Sequence, residues 1–73
     1  MKNIKIETSV RYSDKTKLMI IELFGSKRSI WYELRIIQTP ELSFFVISRT
    51  GQLEFENLEW AMDYAEKLLL LNI

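Results

Sequence analysis

Residues 57–73 constrain this chain most, because a helical apolar period is sustained there and nowhere else. Leu58, Ala61, Met62, Ala65, Leu68, Leu69 and Asn72 recur at steps of three and four, six of the seven apolar, and so share one face. Asn57 stands where its side chain can accept from the free amides of the first turn. Glu59 and Asp63 lie where the positive helix end favours carboxylates. The spacing predicts one helix over 57–71, in a chain that is otherwise strands. Glu56, Glu59, Asp63 and Glu66 form an acidic stripe on its other side, the ordinary make-up of a solvated face.

A third row, Trp60, Tyr64, Leu68 and Leu71, widens the apolar sector beyond what one small sheet covers. That width has two readings. It is a self-association surface, with Trp60, Tyr64, Leu68, Leu71, Glu59 and Asp63 as the candidate protein interface, or the helix is seated in a deep sheet concavity. The apolar run 68–71 is far too short to span a membrane.

Upstream, the apolar period switches to two. Residues 2–12 alternate: Ile4, Ile6, Thr8, Val10 and Tyr12 point one way, and Asn3, Lys5, Glu7, Ser9 and Arg11 the other. This pattern predicts a half-buried antiparallel strand. After a turn at Ser13, Asp14, Lys15 and Thr16, a second strand is expected over 17–24, apolar on both faces. A turn over 25–29 follows, with Lys27 and Arg28 at its tip. The third strand, 30–37, sets Ile30, Tyr32, Leu34 and Ile36 inward and Trp31, Glu33 and Arg35 outward. Pro40 breaks the chain, having no N–H for a ladder. A fourth strand is expected over 42–49, then a Thr50–Gly51 connection and a short fifth strand over 52–56. The fold class is α+β: an antiparallel meander of four to five strands with one C-terminal helix packed against it, in a single domain over 1–73.

A chain of 73 residues buries only about 60% of its unfolded surface, so its core is thin. It has no cysteine to staple that core, and dimerisation is an economical remedy. The charge is zero but divided. Residues 1–37 hold eight basic and four acidic side chains, and residues 38–73 two basic and six acidic. The first residues contain no apolar stretch of signal-peptide type, so a cytoplasmic location is expected, with no membrane span.

Histidine and cysteine are both absent, which removes the imidazole base, the thiolate nucleophile and the usual zinc ligands. The two glycines stand apart, so there is no phosphate-cradling loop. The chain is expected to be no enzyme and to need no cofactor or metal. Two functions remain. One is a small protein-interaction module of accessory, regulatory or inhibitory type, such as phages and mobile elements encode, acting as a homodimer and on an unidentified protein partner. A mixed apolar second face of strands two and four, with Met19, Ile21, Phe45 and Ile47, is a further candidate patch for it. The other function is single-stranded nucleic-acid binding by a basic sheet face of Arg11, Lys17, Lys27, Arg28, Trp31 and Arg35, by stacking plus phosphate contact. In architecture alone, sheet then terminal helix resembles single-stranded DNA-binding domains that pair through their helices. The neutral net charge weighs against that second function.

Overall fold

The computed structural model describes residues 5–27 and 30–72, with only the backbone described for Lys5, Lys27, Ile30, Trp31 and Asn72. The elements run β1 (Lys5–Tyr12), β2 (Met19–Lys27), β3 (Ile30–Gln38), β4 (Phe44–Ser48), β5 (Gly51–Phe55) and α1 (Leu58–Asn72). Each strand pairs antiparallel with its neighbour in sequence, giving one sheet of order β1-β2-β3-β4-β5. The fold is therefore an α+β meander closed by a C-terminal helix.

Register decides which side chains meet the helix. Val10, Ile21, Ile36, Val46 and Leu53 are partners in one row across the sheet, and Thr8, Leu23 and Leu34 in another. Ile21, Leu23, Leu34, Ile36, Phe44 and Val46 are buried there under Ala61, Ala65 and Leu69 of α1. The two alanines on the contact line let the helix backbone approach the sheet closely, and Leu69 fills the space beyond them. Leu58, Met62, Tyr64 and Leu68 pack around that centre. The helix lies on β2, β3, β4 and β5 but does not reach β1. Val10 and Tyr12 consequently stay more than half exposed although they belong to the helix side.

The cap on α1 is as the residues imply. Trp60 donates its N–H to Asn57 Oδ1 at 2.9 Å, and Ala61 donates to the Asn57 carbonyl at 3.3 Å. The helix then runs one residue further than expected.

Other boundaries move for reasons of turn chemistry. Lys17 is not in a strand: with φ +61° it closes a loop in which its N–H reaches Ser13 O and the Leu18 carbonyl accepts the Ser13 N–H, both at 2.9 Å. β2 instead starts at Met19 and continues through Gly25 and Ser26, expected as a turn, to pair Lys27 with Ile30. The side chains of Lys27 and Trp31, and all of Arg28 and Ile4, lie outside the described residues. Leu42 and Ser43 also leave the expected fourth strand. Leu42 takes φ +66°, and Thr39 Oγ1 accepts the Ser43 N–H at 3.1 Å, so the buried threonine is satisfied within the loop. The last hairpin turns one residue earlier than expected, on Arg49 and Thr50, because Ser48 pairs with Gly51. Gly51, at φ +138°, opens β5 in a conformation that side chains rarely adopt.

If the hold on the helix lies in its core face, Leu69→Ala should lower the unfolding free energy by about 2–5 kcal/mol. Asn57→Ala should cost about 1 kcal/mol. Urea midpoints at one fixed protein concentration test the ranking, and a larger loss for the cap variant would refute it.

Candidate interaction surfaces

The sheet has two unlike faces, and side-chain alternation sorts the candidate residues between them. On the face away from α1, Arg11, Ile20, Ile37, Phe45 and Glu54 form one row and Ser9, Glu22, Arg35, Ile47 and Gln52 the next. The expected second apolar face of strands two and four needs one correction. Met19 and Ile21 point to the helix, and it is Ile20 and Phe24 that accompany Phe45 and Ile47. Both faces of that strand are apolar, so alternation alone leaves its sense open; pairing of Ile21 with Ile36 settles it. Ile20, Phe24, Ile37, Phe45 and Ile47 are half-buried among their neighbours, and no described element covers them.

Charge on this face is balanced within the sheet. Glu22 stands between two guanidinium groups, with Arg11 Nε at 3.4 Å and Arg35 Nε at 3.9 Å. Arg35 Nε also lies 3.5 Å from Glu33. Among the described side chains here, Glu7, Glu22, Glu33 and Glu54 outnumber Arg11 and Arg35. Of the six residues expected to grip nucleic acid, these two arginines are therefore carboxylate-paired. Lys17 sits in the loop before β2 and Lys27 at the far end of β2, a strand roughly 26 Å long at about 3.3 Å per residue. Only Arg11 and Arg35 come together among the described cations, and they do so around the Glu22 carboxylate.

The helix row divides. Tyr64 and Leu68 turn in, and Tyr64 sets its ring 5.2 Å from Phe55 of β5. Trp60 and Leu71 remain exposed at 59% and 82%, and Glu59 and Asp63 face water. Tyr64 touches β5, and Trp60, one turn before it, shares that side of the helix. Leu53, 47% exposed on the helix side of β5, belongs to the same area. A groove between Tyr64 and the β4–β5 hairpin is lined also by Val46, Thr50 and Leu53. Nothing in the sequence marks Leu53 as part of this surface. Its edge position follows from the expected meander order, but how far the helix covers β5 does not follow from spacing.

A second groove lies between α1 and the β3 end, lined by Tyr32, Leu34, Arg49 and Leu69. The Arg49 guanidinium sits 5.7 Å from the Tyr32 ring centre, a cation–π contact that closes one wall. No three carboxylates among the described residues stand close enough to hold a metal ion, and no described helix is long and apolar enough to cross a membrane. Comparison with protein-family models, with curated proteins and with solved structures gives no match for this chain.

The pairs on the outer sheet face are exposed enough that each should contribute little. Arg11→Ala and Arg35→Ala should each change stability by less than about 1 kcal/mol, with the difference shrinking as salt rises. Equilibrium unfolding at low and high salt measures this. A loss of several kcal/mol, insensitive to salt, would mean that another surface buries this face.

Proposed function

We propose that this chain is a non-enzymatic protein-interaction module that acts as a homodimer. The observation that carries this reading is the exposed apolar surface beside β5: Trp60 and Leu71 stand open on the same row as Tyr64, and Tyr64 shares a groove with the half-exposed Leu53. An aromatic and two leucines left exposed are what a binding surface supplies and what an isolated small domain gains nothing from exposing. The acidic stripe of Glu59 and Asp63 borders that surface and gives it a polar rim. A thin core supports the same reading, since association adds buried apolar area that a chain of 73 residues lacks on its own. The carboxylate-paired Arg11 and Arg35 weigh against phosphate binding by the sheet.

Light scattering tests both halves of the proposal. The purified chain, 8.7 kDa as a monomer, should show twice that mass and keep it when a labelled single-stranded oligonucleotide is added at low or moderate salt. The double variant Trp60→Asp with Leu71→Asp changes only exposed positions and should return the mass to the monomer with an unaltered circular dichroism spectrum. A monomeric wild type at every concentration overturns the dimer. An oligonucleotide complex that is lost steeply with salt would move the function to nucleic-acid binding.

A further inference from the structure

β5 is an edge strand, and the ladder phase shows which of its backbone groups are open. Thr39 donates its N–H to Ser43 O at 2.8 Å, a bond that sets the alternation between β3 and β4. In steps of two, Ile37 with Phe45 and Arg35 with Ile47 are then the bonded pairs, so Phe45 and Ile47 turn their backbone groups to β3. Phe44 and Val46 turn theirs to β5 and meet Phe55 and Leu53. The N–H and C=O of Gln52 and Glu54 are left aimed at the open edge.

We propose that a second copy of this chain adds its own β5 antiparallel to this edge, centred on Leu53, so that two five-stranded sheets become one. The proposal rests on the homodimer reading and names its seam. Side chains select the register. Centred on Leu53, Gln52 lies opposite the partner's Glu54 on both sides of the axis, an amide beside a carboxylate, and Leu53 lies opposite its own copy. Centring on Glu54 would set two carboxylates face to face, and centring on Phe55 would set Glu54 against Glu56; like charges directly opposite destabilise a pair. Sliding the other way runs β5 into its own turn at Arg49 and Thr50.

The geometry also uses the helix. The two-fold axis of such a pairing stands perpendicular to the sheet, so both helices lie on the same side of the seam. Their Trp60 and Tyr64 flanks then face each other above the paired Leu53 side chains. β1, the other edge, has no such cover. α1 does not reach it, Val10 and Tyr12 would stay open, and the charged Glu7 and Arg11 stand along its outer face, a usual guard against edge pairing.

The absence of native cysteine makes the seam directly testable. In the proposed register the two Leu53 residues form a non-bonded pair, with Cα atoms about 4.5 Å apart, close enough for a disulfide once both are replaced by cysteine. Leu53→Cys under mild oxidation should double its mass on a non-reducing gel, and Ser9→Cys, on the β1 edge, should not. Gln52→Pro removes an outward N–H without touching the β4–β5 ladder, and should halve the solution mass while leaving the circular dichroism unchanged. A wild type that is monomeric at every concentration overturns the homodimer reading and this seam together. A dimeric wild type whose Leu53→Cys variant stays unlinked and whose Gln52→Pro variant remains dimeric overturns the seam alone. So does a covalent dimer of the Ser9→Cys variant.

Discussion

One apolar layer holds this molecule together: Ala61, Ala65 and Leu69 of α1 set down on Ile21, Leu23, Leu34, Ile36, Phe44 and Val46. A single helix about 10 Å across cannot cover five strands spaced about 4.8 Å apart. Everything distinctive about the surface follows from that mismatch. The helix settles over the middle and β5 side of the sheet, so β1 keeps its helix-side Val10 and Tyr12 in water. With no second layer among the described residues, Ile20, Ile37, Phe45 and Ile47 must shield one another on the far face. The salt-bridged Glu22, Arg11 and Arg35 beside them keep that face wettable.

How far the residues alone reveal this depends on how each element announces itself. α1 is legible because its period, its Asn57 cap and its apolar face all agree, and the expected face is the one that meets the sheet. β1 and β3 are legible through strict alternation. β2 and β4 are legible as strands but not in sense, since both their faces are apolar; only pairing with Ile36 shows that Ile21 looks to the helix and Ile20 away. Gly25 marks a turn by composition, yet the sheet takes it as a strand residue at a buried position. The loops at Lys17 and Leu42 are illegible for a different reason. Each forces a side chain into the left-handed region at a cost of roughly 1 kcal/mol, which hydrogen bonding by Ser13 and Thr39 offsets. Propensity gives no notice of such positions.

The candidate surface divides the same way. Helical spacing groups Trp60, Tyr64, Leu68 and Leu71 into one row, but spacing cannot say where the sheet ends beneath it. The row straddles that boundary. Tyr64 and Leu68 are drawn inward onto the core, and Trp60 and Leu71 are left outside. Leu53 is not in the expected row because spacing does not say that the helix leaves the last strand of the meander half open. The basic residues show the opposite failure. Lys17 and Lys27 are ten positions apart in the chain, but an extended strand between them carries them to opposite ends of the sheet.

A meander has two edges, and this chain treats them differently. β1 is eight residues long and, on its outer face, follows Glu7 with Ser9 and Arg11. No described strand pairs with its outer edge, where charge is a protection against uncontrolled pairing. β5 has five residues, too few to offer a long template, and its Glu54 accepts a hydrogen bond from Ser43 instead of projecting freely. That short edge lies beside the helix margin on which Tyr64 meets Phe55 and Trp60 stays exposed. Under the proposed seam, shortness becomes a source of specificity. A five-residue strand starting at a glycine with φ +138° and ending at the helix cap has few registers to sample, and carboxylate repulsion removes the neighbouring ones. Backbone pairing fixes the register, and the Trp60 and Tyr64 flanks supply the apolar area that makes it hold. A strand edge without such a flank offers hydrogen bonds that water already provides, which is why the uncovered margin of α1, more than the backbone of either edge, decides where a second copy gains by docking.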